Sequence, residues 1–155
     1  MGRPRLRRKP GESVAGPGRV RVVLDTNIVL AAVSRRSPYR GVLDAWEQGA
    51  YELCVSTEVL LEYEEKLADN FGPVVADLTV AAFLAKPSTH RVTVFYAHRL
   101  IASDPDDDKF VNCALWANAH YLVTNDRHFR ALQALPFPKL TVLTMAQFQK
   151  VLAAG

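Results

Sequence analysis

The stretch Val20-Arg21-Val22-Val23-Leu24-Asp25-Thr26-Asn27 decides the fold of this chain. Its first five residues are mostly β-branched or leucine, as is typical of a strand buried in a parallel sheet. Three polar residues follow at once, and residues 27–33 then predict a short helix. A strand, a polar turn and a helix in this order favour an α/β fold, in which ligands bind beyond the carboxyl ends of the strands.

Four further strands alternate with helices along the rest of the chain. Strands are predicted at residues 51–55, 91–95, 121–124 and 140–143. Helices are predicted at about residues 42–49, 57–67, 73–86, 107–119, 129–135 and 145–153, the second capped by Ser56 or Thr57. The alternation predicts right-handed crossovers and a single-domain α/β/α sandwich around a central parallel five-stranded sheet.

The positive charge of the chain is concentrated at its start. The 155 residues carry a net charge of +3, but residues 1–21 alone contribute +6, so the remainder is at about −3. Residues 1–18 are rich in Arg, Gly and Pro, which predicts a disordered basic tail before a folded domain at 19–155. Such a tail either steers the protein to nucleic acid or is a start-site artefact.

The composition also indicates the cellular setting. There is no apolar core of the signal-peptide type and no apolar stretch long enough to span a bilayer. Cys54 and Cys113 are far apart and form no CxxC pair. These features predict a reduced, cytoplasmic protein with no membrane association.

Four acids lie where a nuclease-like site would need them. Asp25 and Asp126 follow predicted strands, Glu62 lies on the border of an apolar helix face, and Asp108 ends an acidic run that opens a helix. Acids gathered without basic partners repel, by about 4 kcal/mol for a pair 4 Å apart at an effective dielectric near 20. A divalent cation is the simplest way to hold such a cluster together.

Each acid also has an ordinary structural explanation. Asp25 and Asp126 each suit a turn or a helix N-cap, and Glu62 suits an i,i+4 pair with Lys66. The acidic run suits a helix start, where the dipole favours negative charge. Within that run Asp108 is the best ligand candidate, because Asn112 falls one turn later on the same face, and Asp107 is the alternative register.

Oxygen ligands alone indicate a hard cation, Mg²⁺ or Mn²⁺, rather than zinc. The four histidines show no paired or HExxH spacing, and no glycine-rich phosphate-binding loop is present. A carboxylate-held metal pair activates water for in-line displacement at a phosphodiester, so that no protein nucleophile is required.

At these residues the chain resembles the PIN-domain family, in particular the PIN-type toxins of bacterial and archaeal toxin–antitoxin pairs (VapC-like). The resemblance covers roughly residues 20–153 and is carried by four segments in the family's order. They are Val-Val-Leu-Asp25-Thr-Asn27, Val-Ser-Thr-Glu-Val-Leu-Leu-Glu62-Tyr, Asp-Asp-Asp108-Lys-Phe-Val-Asn-Cys-Ala and Tyr-Leu-Val-Thr-Asn-Asp126 with Phe129 after it.

The resemblance implies a sheet in which the first and fourth strands are neighbours. It implies that Asp25, Glu62, Asp108 and Asp126 form an acidic quartet that binds Mg²⁺ or Mn²⁺, with Thr26, Asn27 and Thr124 orienting it. It further implies a ribonuclease acting on single-stranded or structured RNA, usually a homodimer, which a cognate antitoxin neutralises. The basic extension has no counterpart in the core family, and the triple acid at 106–108 leaves the third ligand open by one position.

Two other classes of protein fit parts of the pattern. A non-catalytic PIN fold used as an RNA- or protein-binding scaffold is one, but such a protein would be expected to have lost an acid. An aspartyl-phosphate phosphatase of the haloacid dehalogenase type is the other, since its first strand also ends in Asp. That chemistry needs a second Asp two residues later, where this chain has Asn27, and a downstream Lys that is not evident.

Overall fold

The structure is a computed structural model that describes residues 19–95, 108–129 and 140–155. Within these residues five strands and six helices alternate, which confirms the predicted α/β architecture. The strands are β1 (Arg21–Leu24), β2 (Glu52–Val55), β3 (Thr89–Arg91), β4 (Tyr121–Val123) and β5 (Thr141–Leu143). The helices are α1 (Thr26–Ala32), α2 (Arg40–Glu47), α3 (Thr57–Phe71), α4 (Pro73–Ala85), α5 (Asp108–Ala117) and α6 (Met145–Ala154).

The five strands form one parallel sheet in the order β3-β2-β1-β4-β5. The strand order reverses at β1, which pairs with β2 on one side and with β4 on the other. Leu24 lies opposite Val123, so the residues that follow β1 and β4 emerge side by side. This position is where open α/β sheets bind ligands, and the adjacency of the first and fourth strands is as predicted.

Strand β1 is enclosed on both faces. Val22, Val23 and Leu24 have no exposed surface, and α5 packs against β1, β2 and β4. Burying a side chain of this size contributes about 1.5–3 kcal/mol, so the strand is fixed rigidly beneath the residues that follow it. The buried Tyr63 hydroxyl donates to the backbone oxygen of Leu24, which ties α3 to the end of the same strand.

Helix α3 has the predicted start and a later end. The Ser56 hydroxyl accepts a hydrogen bond from the Val59 amide at 3.3 Å, so Ser56 is the N-cap. The helix continues past its last buried residue, Leu67, to the exposed Phe71 and stops before Gly72. Gly72 has φ +89°, a conformation that other residues rarely adopt, and Pro73 then begins α4.

The third strand lies earlier than predicted. It spans Thr89–Arg91 rather than residues 91–95, because β2 is short and its pairing with β3 runs from Leu53↔Thr89 to Val55↔Arg91. As an edge strand it tolerates polar residues, so the apolar alternation after Arg91 was a misleading signal. Phe95 is largely exposed and contacts Trp116, with ring centroids 5.4 Å apart.

Several predictions fall on residues that are not described. The basic tail at 1–18, Asp107, and the predicted helix at 129–135 beyond Phe129 all lie outside the described residues.

Cys54 and Cys113 are buried free thiols, and burial raises the pKa of Cys113 to about 12. No helix in the described ranges is long and apolar enough to cross a lipid bilayer.

Candidate active site

Asp25 stands directly after β1, with its side chain turned toward β4. Its amide donates to the Val123 oxygen at 3.0 Å, and its carboxylate Oδ2 accepts from the Thr124 hydroxyl at 2.8 Å. Although Asp25 occupies the N-cap position of α1, its side chain makes no capping hydrogen bond. An ordinary N-cap therefore does not account for this residue.

Thr124 connects two of the predicted acids. Its buried hydroxyl donates to Asp25 and accepts from the Asp126 amide at 3.0 Å. One side chain thus sets both the orientation of the first carboxylate and the path of the chain that carries the second. The Asp126 carboxylate Oδ1 accepts from the His128 amide at 2.9 Å and lies 3.4 Å from His128 Nδ1, so Asp126 also has the turn role considered for it.

Glu62 is half-buried on α3 and is held at both carboxylate oxygens. Oε2 accepts from the Thr26 hydroxyl, and Oε1 lies 3.0 Å from Lys109 Nζ. The alternative explanation of Glu62, an i,i+4 pair with Lys66, is therefore wrong, since the cation that pairs with Glu62 comes from α5 and not from the next turn of α3. The expectation of an acidic cluster without a basic partner is wrong at this residue for the same reason.

Asp108 opens α5 and is almost fully buried. The Asn112 side-chain amide donates to the Asp108 backbone oxygen at 2.9 Å, so Asn112 lies one turn later as predicted but bonds the main chain. Asn27 is exposed at the start of α1. The alternative ligand Asp107 lies outside the described residues.

The electrostatic environment of Asp25 reflects its acidic neighbours. Burial raises the pKa of the Asp25 carboxyl, and the charges of Glu62 and Asp126 raise it further. Hydrogen bonds from the Thr124 hydroxyl and the Thr26 amide act in the opposite direction without reversing the rise in pKa. Three carboxylates are thus close enough to repel, and a bound cation would relieve this repulsion.

The donor chemistry of this cluster fits a hard divalent cation, because every candidate ligand is a carboxylate. Among residues 19–95, 108–129 and 140–155, no group of three or more His, Cys, Asp or Glu side chains forms a ready-made metal site. The effect of Glu62 and Asp126 on the pKa of Asp25 is compatible with the lack of a ready-made metal site in the described ranges. Charges affect a pKa over longer distances than the roughly 2.0–2.1 Å of Mg²⁺ coordination. Glu62, held by Thr26 and Lys109, would have to turn to join a shared ion.

Lys109 is the site residue that sequence reasoning missed. It directly follows Asp108, in the first turn of a helix, where the dipole disfavours a cation. That unfavourable position was the available signal, because an acidic neighbour offsets the repulsion between a lysine and the helix dipole. The hydrogen bond from the Tyr63 hydroxyl to the Leu24 oxygen was also missed, because it depends on tertiary contact.

The comparisons with known proteins agree with the fold. VapBC2 from Rickettsia felis, bound to a DNA fragment from its promoter, is similar at a TM-score of 0.55 and 18% identity, covering 81% of this chain and 98% of that chain. DNA-bound VapBC from Salmonella typhimurium is similar at 0.52 and 14% identity, covering 81% and 98%. At such identities the likeness is one of fold, and a search of curated proteins gave no match.

A sequence model of the PIN domain matches residues 21–128, a range that includes Asp25, Glu62, Asp108 and Asp126. The match covers well over half of the chain and begins at Arg21, the first residue of β1. The chain therefore belongs to the PIN domain family, a family of nucleases.

Proposed function

We propose that this protein is a Mg²⁺- or Mn²⁺-dependent endoribonuclease that hydrolyses RNA phosphodiester bonds through Asp25, Glu62, Asp108 and Asp126. The observation that carries the proposal is the convergence of Asp25, Glu62 and Asp126 within a PIN domain. Thr124 donates to Asp25 and accepts from the Asp126 amide, and Thr26 donates to Glu62. Acids clustered at a strand-order reversal, one of them with a raised pKa, are characteristic of functional sites. A purely structural role does not require such a costly arrangement.

The contacts of the site residues indicate the role of each in binding the cation. Asp25 and Asp126 would hold the cation from the ends of β1 and β4, with Thr124 fixing the position of both. Thr26 orients Glu62, and Asp108 contributes a carboxylate from the start of α5. A bound divalent cation supplies an activated water and stabilises charge on the leaving oxygen.

The substrate class follows from charge and chemistry. The acidic site would admit a polyanion only when the cation is bound there. The segment at residues 1–21, with a net charge of +6, would attract the polyanion. Asn27 and Arg127 are exposed beside Asp25 and Asp126, where they can contact a bound strand. Single-stranded or structured RNA is the substrate that we propose, in a cytoplasmic setting.

The partners that we propose are a second copy of the chain and a cognate antitoxin, as in a type II toxin–antitoxin pair. Helix α4 has one charged residue, Asp77, and exposes Val74 by 68% and Leu78 by 67%. An apolar, nearly uncharged face of this kind suits the symmetric contact of two copies. Light scattering should give a dimer mass for the wild type and a monomer mass for Leu78→Glu.

A scaffold without catalysis is the second candidate. It is favoured by the Lys109 ion pair at Glu62 and by the lack of a ready-made metal site in the described ranges. Under this alternative the PIN fold binds RNA or protein, and the acids are remnants. Cleavage and metal binding distinguish the two candidates directly.

The test is cleavage of end-labelled single-stranded RNA with Mn²⁺, Mg²⁺ or EDTA. The wild type should cleave only with metal, and Asp25→Asn should not cleave. Asp69→Asn is the matched control, because Asp69 is an exposed acid on α3 outside the cluster, and this variant should cleave like the wild type. Equal cleavage by Asp25→Asn would refute the proposal, and absence of both cleavage and Mn²⁺ binding in the wild type would favour the scaffold.

A further inference from the structure

Lys109 occupies an electrostatically unusual place. Its ammonium lies 3.0 Å from Glu62 Oε1, and the two side chains are only 21% and 18% exposed. The residue sits in the first turn of α5, where the exposed amide groups already carry partial positive charge. Ordering a lysine side chain there also costs conformational entropy. A cation under these conditions is retained by the acids it faces.

The surroundings of Lys109 explain what retains it. Glu62 is its direct partner, and Glu62 in turn acts electrostatically on Asp25. Asp126 is paired with His128, a histidine that is charged only if protonated. Lys109 therefore supplies a permanent positive charge to this cluster through Glu62.

The same contact blocks part of the site. Glu62 Oε1 contacts Lys109 and Oε2 accepts from Thr26, so both oxygens already have a partner. Thr26 is neutral and can keep its bond while Glu62 binds a cation. Lys109 cannot remain at 3.0 Å without opposing the charge of an ion bound at the same carboxylate.

We propose that Lys109 is a positioning residue that competes with the divalent cation for Glu62, an inference that rests on the proposed function. In the metal-free protein its ammonium holds Glu62 and offsets part of the repulsion among the acids. When the cation is bound, the ammonium leaves Glu62. Lys109 thereby weakens metal binding and stabilises the metal-free fold.

The test compares Lys109→Met, which keeps the length of the side chain without the charge, with Lys109→Arg, which keeps the charge. Both are made in the full chain, with Mn²⁺ alone as the probe. Calorimetric titration should show Mn²⁺ binding about three- to tenfold more tightly to Lys109→Met, because no ammonium must be displaced. Lys109→Arg should bind like the wild type.

Thermal unfolding provides the readout that a packing role would not reproduce. Lys109→Met should melt below the wild type in EDTA, and the difference should disappear or reverse in saturating Mn²⁺. In the wild type, the Lys109 side-chain Cε NMR signal, identified by its loss in Lys109→Arg, should shift as Mg²⁺ saturates the site. The NMR measurement is made on the wild type, so it tests the proposal even if Lys109→Met does not fold.

The outcomes separate this inference from the proposed function. Unchanged or weaker Mn²⁺ affinity in Lys109→Met, a melting deficit that is equal with and without metal, or a Lys109 signal that does not respond to Mg²⁺ would overturn the role of Lys109. If the wild type still cleaves RNA and binds Mn²⁺ in that case, the proposed function stands. A wild type that neither binds Mn²⁺ nor cleaves would overturn both.

Discussion

Replacing Thr124 by valine removes one hydroxyl at the centre of the candidate site while preserving the shape of the side chain. That hydroxyl donates to Asp25 Oδ2 at 2.8 Å and accepts from the Asp126 amide at 3.0 Å. Thr124 is 2% exposed, so water does not readily replace the lost group. The substitution therefore breaks two hydrogen bonds at once and leaves both partners in place.

The expected cost follows from these two bonds. A hydrogen bond to a charged group contributes about 1.5–3 kcal/mol, and a buried amide left unpaired costs at least about 1 kcal/mol. Protonation of Asp25, whose pKa is already raised, limits the loss, so we expect Thr124→Val to lower the free energy of unfolding by about 3 kcal/mol. For a chain of this length that corresponds to a fall in Tm of about 6–12 °C.

Thr124→Ser is the matched control, because it keeps the hydroxyl and loses one buried methyl group, worth about 0.8 kcal/mol. Thermal unfolding in EDTA at neutral pH should place Thr124→Ser within about 3 °C of the wild type. RNA cleavage should survive in Thr124→Ser and fall steeply in Thr124→Val. If the two variants unfold at the same temperature, the hydroxyl does not connect Asp25 and Asp126, and the reasoning is refuted.

Three further predictions concern charge. In EDTA at pH 7, Asp25→Asn should be at least as stable as the wild type, because burial and acidic neighbours disfavour the ionised form. The folded pKa of Asp25 is raised above 3.8, so wild-type stability falls as pH rises through that pKa, and a urea series should show the advantage of the variant shrinking at lower pH. Arg21→Met should lower the free energy of unfolding by about 3–5 kcal/mol, because Glu52, whose side chain is 2% exposed, loses a partner at 3.0 Å. A loss of less than about 1 kcal/mol in chemical denaturation would contradict this prediction. Deleting residues 1–18 should leave Tm nearly unchanged and reduce the salt slope of RNA binding by up to about 3, whereas a large fall in Tm would show that the tail packs on the domain.

Much of the fold could be predicted from local patterns. The β-branched run at residues 20–24 indicated a buried strand, and Ser56 and Pro73 marked helix starts that the structure confirms. The third strand was misplaced because it lies at the sheet edge, where burial does not impose an apolar pattern. Its position was decided by its pairing with the short strand β2.

The candidate site was only partly predictable for the same kind of reason. The sequence by itself determined which residues are acidic and that Asp25 and Asp126 follow strands, because strand periodicity is a local property. Only the tertiary structure decided that Thr124 bonds Asp25 and that Lys109, rather than Lys66, pairs with Glu62. Those partners are 99 and 47 positions apart along the chain, and such contacts are set by the pairing and packing of whole elements rather than by neighbouring residues.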